Sequence, residues 1–208
     1  FPYDPYGAGI RNVNADLTLD TCDLHDNIGG TSSRGGGVAS GGKTGVVLQL
    51  RDVDVYGNKA YAAAGVYVYA SGVVVERSRI YANESEAVGA VALALDLDPS
   101  THNATIRNSL IYDNRATSPT SRGGGLYIEN GTVGIQNVTI FSNTVPGFGG
   151  GVYNSAGDLS ITNTLLISNT AGTSNAIHNS GGSVSVSHTD FYGPQTYLND
   201  GTIAQTEI

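Results

Sequence analysis

From Leu17 to Pro194 the chain spells one eleven-residue phrase seven times, and that repetition constrains the fold more than any other feature. The segments are LTLDTCDLHDN from Leu17, LQLRDVDVYGN from Leu48, VVVERSRIYAN from Val73 and ATIRNSLIYDN from Ala104. VGIQNVTIFSN follows from Val133, LSITNTLLISN from Leu159 and VSVSHTDFYGP from Val184. They align without a gap, their starts 31, 25, 31, 29, 26 and 25 residues apart. Columns one, three and eight are almost always Leu, Val, Ile or Phe, and column six is small: Cys22, Val53, Ser78, Ser109, Val138, Thr164, Thr189. Period-two alternation in short β-branched runs specifies strands rather than helices.

Most segments are followed by a Gly-rich turn and a second apolar run, as in GGGVAS, AGVYVYA, GGGLYIEN and GGGVYN. Three short strands per repeat, bent by turns, describe one coil of a right-handed parallel β-helix, because no coil can bury its apolar face except against the next. The expected fold is therefore an all-β solenoid of about seven coils over residues 17–193. Residues 1–16 form an N-terminal segment with a partial coil, and 194–208 a C-terminal tail with another.

Column eleven is Asn in six of the seven segments: Asn27, Asn58, Asn83, Asn114, Asn143 and Asn169. An Asn amide in a turn between coils can bond the same turn in its neighbours, so the column predicts an Asn ladder. The charges test the alignment independently. Stacking the second segment on the third sets Arg51 beside Glu76, Asp52 beside Arg77 and Asp54 beside Arg79, three opposite-sign pairs in one register.

The sequence looks like the pectin-lyase-like β-helices, and most like the repeats of polymorphic outer-membrane proteins and bacterial surface adhesins. Those repeats pair a GGA[ILV] element with FxxN; the counterparts here are Gly150-Gly151-Val152 and Gly124-Gly125-Leu126, with Ile140-Phe141-Ser142-Asn143 and Ile111-Tyr112-Asp113-Asn114. The aromatic of FxxN is replaced by Ile, Leu or Val, a departure from that family's pattern. The resemblance implies a secreted or cell-surface structural role, as an adhesin or scaffold segment or a filament subunit. Its enzymatic alternative is a calcium-assisted polysaccharide lyase; a third is a non-catalytic carbohydrate-binding module.

Candidate sites follow from these readings. The lyase alternative places Asp96 and Asp98, from the insertion LDLDPSTHN, as calcium ligands or an acid pair. They would act beside Glu76, with Arg107 as base or substrate clamp. No metal-ligand spacing of His or Cys occurs, and no cofactor other than that calcium is expected. An outward column holding Tyr56, Tyr81, Tyr112 and Phe141 is either a self-supporting aromatic ladder or a face for sugar rings or a partner protein. Loops GGTSSRGGG and SPTSRGGG each carry an Arg, Arg34 and Arg122, ahead of the Gly cluster. Cys22 lies in the small inward column, which predicts a buried and inert thiol.

Gly7 to Leu19 aligns with Gly149 to Ile161, and NDGTI from Asn199 resembles ENGTV from Glu129. These matches set Gly7, Ile10 and Asn12 at one end and Thr202 and Ile203 at the other in partial coils, where head-to-tail neighbours would assemble. The expected partners are accordingly further copies of the chain, glycans or host and cell-surface proteins. A formal charge of −8 offers nothing to neutralise phosphates, so no nucleic-acid partner is expected, and no apolar run reaches membrane-spanning length.

Overall fold

The computed structural model describes residues 7–42, 45–94, 103–193, 198–199 and 202–206, with backbone alone at 93–94 and from 198 onward. Four parallel sheets run along the solenoid axis. Sheet 1 holds columns one to four: Leu17–Asp20, Val47–Arg51, Gly72–Glu76, Asn103–Arg107, Thr132–Gln136, Asp158–Thr162, Ser183–Ser187 and Thr202–Thr206. Sheet 2 holds columns seven to nine, from Asp23–His25 through Arg79–Tyr81 to Asp190–Tyr192. Sheet 4 is the strand after the Gly cluster, from Ile10–Val13 through Val66–Tyr69 and Leu126–Asn130 to Leu198–Asn199. Beyond the three expected strands, sheet 3 adds a short one directly after the ladder Asn, as at Lys59–Ala60, Glu84–Ser85, Arg115–Ala116 and Thr144–Phe148.

The register matches the ungapped alignment. Leu17 pairs Leu48, Leu48 pairs Val73, Val73 pairs Ala104, and the column continues through Val133 and Leu159 to Val184. Ile10 pairs Val38 and Ile203 pairs Val184, so both short terminal matches also fall in register. Alternate residues of sheet 1, such as Leu48 and Leu50 or Ile106 and Ile135, point inward with at most 1% exposure. They meet Val55, Ile80, Ile111 and Ile140 from sheet 2 and Val66, Val91, Leu126 and Val152 from sheet 4 in one axial core. Each such side chain contributes about 1.5–3 kcal/mol by leaving water.

Two bends per segment turn the chain. Column five is left-handed throughout, at Thr21, Asp52, Arg77, Asn108, Asn137, Asn163 and His188, and column ten at Asp26, Gly57, Ala82, Asp113, Ser142, Ser168 and Gly193. For the residues with a Cβ this conformation costs about 1 kcal/mol each, which the neighbouring coils must offset. After column five, the small column-six side chain caps the bend: Ser78 Oγ donates to the Glu76 carbonyl and accepts the Val53 N–H at 3.1 Å. Where sheet 4 begins, glycine is required by approach. A Cβ on Gly151 would lie 2.7 Å from the Ala176 carbonyl oxygen of the next coil.

The Asn ladder joins six coils. Each Oδ1 from Asn58 to Asn169 accepts the backbone N–H of the preceding ladder Asn at 3.0–3.1 Å and its amide Nδ2 at 2.8–3.0 Å. The amides also donate to a sheet 2 carbonyl of the preceding coil, as from Asn114 to Ile80 at 2.9 Å. Asn58 to Asn169 are all buried. Replacing Asn114 with Ala strips the acceptor from two buried donors of Asn83, the backbone N–H and the amide. The expected loss is about 3–5 kcal/mol of stability, at roughly 1–3 kcal/mol per orphaned group, read from the urea midpoint. Asn27→Ala, at the half-buried end of the ladder, should lose about 1 kcal/mol.

Candidate functional site

The charged rows lie where the register sets them. Arg77 donates to Asp52 from Nε at 3.0 Å and from Nη2 at 2.8 Å, and Arg79 forms the same two-pronged contact with Asp54. Glu76 has Arg51 and Arg107 as its register partners on either side, and its carboxylate turns to Arg107 at 3.1 Å and to Arg77 at 2.7 Å. Of the lyase candidates, Asp96 and Asp98 lie outside the described residues. Glu76 and Arg107 come together, but as an ion pair between coils. The Glu76 carboxylate is thus engaged by two guanidiniums, one from its own coil and one from the next. Among the described residues no group of three or more His, Cys, Asp or Glu could hold a metal ion.

The outward column of sheet 2 is a stack of flat rings. Centroids of His25 and Tyr56 are 4.9 Å apart, Tyr56 and Tyr81 5.0 Å, Tyr81 and Tyr112 4.8 Å, and Tyr112 and Phe141 4.7 Å, with interplanar angles of 3–11°. Tyr56, Tyr81 and Tyr112 therefore have both faces covered by neighbouring rings and present edges and hydroxyls to solvent. Burial pushes the Tyr81 and Tyr112 hydroxyls up. Sugar recognition by stacking uses ring faces, and here the faces are turned to each other.

The assembly candidates sit in regular strands. Ile10 packs against the core, the Gly7 N–H donates to the Arg34 carbonyl, and Asn12 Nδ2 donates to Ser40 Oγ at 2.9 Å. Thr202 pairs Ser183 through the backbone, beside Ile203 on Val184. Cys22 is half-buried rather than buried, since it lies in the first described coil of its column. Desolvation, then Asp23 and Asp20, push its thiol up and away from a reactive thiolate.

Two features had no counterpart in the sequence reading. One is a groove of about 490 Å³ on the side of sheet 3. The two Arg-bearing loops form its walls at Thr31 and at Ser118 and Pro119, and the coils between them, which have no such loop, form its floor at Lys59, Tyr61 and Glu86. The other is a second ring column on the outer side of sheet 4, through Tyr127, Tyr153 and His178. Tyr153 stacks on His178 at 4.9 Å, and Arg122 lies over the Tyr153 ring at 5.3 Å. Arg34 reaches the next aromatic position, its Nη1 3.2 Å from the Tyr67 hydroxyl and its guanidinium 5.6 Å from the ring centre. The loop arginines thus have a structural address that the one-dimensional pattern did not give.

Two measurements check this geometry. Tyr81→Ala removes two stacking contacts and should destabilise the fold by about 1–3 kcal/mol, while Tyr81→Phe should be close to neutral. The Arg77 hydrogen bonds hold the Asp52 carboxyl below the ordinary carboxylate range. A depressed folded-state value stabilises the fold above the unfolded carboxylate pKa, and that contribution disappears as pH falls through the folded value. A carbon-detected NMR titration should show the Asp52 midpoint moving up in Arg77→Gln.

Comparison with known proteins agrees with the geometry. The family described as "Right handed beta helix region" matches residues 3–171. No curated protein and no solved structure matches the chain. With the family covering most of the sequence and the parallel coils in register across it, the chain belongs to the right-handed β-helix family.

Proposed function

We propose that the chain is a non-catalytic structural segment, a surface-exposed or secreted scaffold of the adhesin kind. The observation that carries this reading is where the reactive side chains go. Asn amides, column-six hydroxyls, Asp–Arg pairs and tyrosine rings all connect one coil to the next. Glu76 and Arg107, the described half of the lyase constellation, neutralise each other. A solenoid built this way stacks its coils along one axis and sets its two Arg-bearing loops on the side of sheet 3, an arrangement suited to presenting contacts to glycans or to proteins of another cell surface. Pairing of coil edges between chains would extend the same stacking into filaments.

The test is a uronate-lyase assay with and without calcium, run beside negative-stain electron microscopy of the native chain over a concentration series. No unsaturated uronate product is expected under either condition; calcium-dependent product would overturn the scaffold reading. Filaments of even width that lengthen with concentration would make self-assembly part of the role. Short rods at every concentration would confine the chain to acting as a single segment.

A further inference from the structure

Sheet 2 shows solvent its columns seven and nine, and their chemistry changes along the axis. Column seven reads Arg79, Leu110, Thr139, Leu165 and Asp190 in consecutive coils. Beside the middle three, column nine supplies Tyr112, Phe141 and Ile167. Leu110 is 37% exposed and Leu165 39%, while Tyr112, Thr139, Phe141 and Ile167 are half-buried. These three coils therefore show an apolar patch to water, with a cation one coil to one side and an anion one coil to the other. The first two coils have no such patch, because their column seven is Asp23 and Asp54.

That order is complementary to itself. A two-fold axis lying along the strand Thr139–Phe141 keeps strand direction and reverses coil order, so column seven of one copy faces column seven of another. Leu110 then meets Leu165 of the second copy, Tyr112 meets Ile167, Thr139 and Phe141 meet themselves, and Arg79 meets Asp190. Every unlike pair occurs twice. At the bends flanking the patch, Asn108 falls opposite Asn163 and Asp113 opposite Ser168, so no like charges meet there. Arg79 holds Asp54 through Nε and Nη2, which leaves Nη1 for a second carboxylate, and Asp190 is exposed at the other rim. Copies packed with parallel axes would instead set Arg79 against its own copy or against Tyr81, covering a charge without an opposite partner. We infer that sheet 2 is an interface between two copies of this chain, packed face to face with antiparallel axes and centred on Thr139 and Phe141. Five strands at about 4.8 Å spacing make the contact about 20 Å long, which places it among weak, transient interfaces.

The test is sedimentation equilibrium of the full chain at low salt. A monomer–dimer equilibrium with Kd on the order of 0.1 mM is expected. Leu165→Asp should leave the chain monomeric at every concentration and keep its circular-dichroism melt, because the side chain lies outside the core. Arg79→Glu and Asp190→Arg, each alone, should weaken the dimer about tenfold by setting like charges face to face. Mixed in equal amounts, the two variants should recover the original affinity to within about threefold, since each then finds the opposite charge on the other. Asp190→Arg alters an exposed side chain, so its own arm stands even where Arg79→Glu disturbs the Asp54 contact. A chain still monomeric at about 1 mM would overturn the assignment. So would a dimer indifferent to Leu165→Asp, or folded variants whose mixture does not recover. Growth past the dimer that Leu165→Asp leaves unchanged would move self-association to the coil ends and overturn it as well.

Discussion

Every coil of a solenoid must turn without leaving its turn peptides dry, and here one side chain answers for each turn. The ladder Asn uses its whole amide. Its Oδ1 accepts two donors from the coil before, and its Nδ2 donates once forward and once back, as at Asn83 to Asn114 Oδ1 and to the Val55 carbonyl. No other residue has an acceptor and two donors at that reach, which is why the column tolerates so little variation. With the turn fixed, columns eight and nine of the segment take opposite directions, one into the core and one into the ring stack. The left-handed bend at column ten lies immediately ahead of the Asn, so its conformational cost falls where the hydrogen bonds are densest.

The loops that bear on function occupy the part of the coil that this constraint does not reach. Segment spacing varies from 25 to 31 residues, and the extra residues fall outside the eleven-residue phrase. Gly29 to Arg34 and Thr117 to Arg122 lie between the ladder and the Gly cluster, where a longer chain disturbs neither register nor core. Because two coils without such loops separate them, the loops face one another across a groove. Position along the axis is therefore set by rigid columns and chemistry by insertions, a division of labour common to repeat proteins.

How much of this could be read from the sequence depends on which side chains geometry dictates. The inward Val, Leu and Ile, the ladder Asn and the opposite charges of Asp52 with Arg77 were legible, since burial and stacking allow few alternatives at those places. The column-five bends were not. Asp52, Asn108, Asn137, Asn163 and His188 are of types enriched in the left-handed region, but Thr21 and Arg77 are not, and there the strands on either side impose the conformation. Sheet 3 escaped notice because strands of two residues, such as Glu84–Ser85, cannot display an alternation. The sheet 4 rings stand one at a time in the sequence, in VYVY and GLYI, and become a column only once the coils are placed in register.

Register itself is written twice along the axis, in different chemical terms. In the second to fourth coils it is electrostatic: Asp52 with Arg77, Asp54 with Arg79 and Glu76 with Arg107 each span neighbouring coils. In the later coils hydroxyls take over, with Thr162 on Ser187 and Ser183 on Asp158. Exposed pairs of either kind add little stability. Their value lies in what a slip would do. A shift of one residue would turn every inward Val and Ile to solvent, which the core already forbids. A shift of two would keep the core alternation but set Asp52 against Arg79 and leave Arg77 and Asp54 without their present partners. Apolar columns thus exclude odd slips, while the charge rows and the single Asn per turn exclude even ones, and together they leave one stacking of the coils.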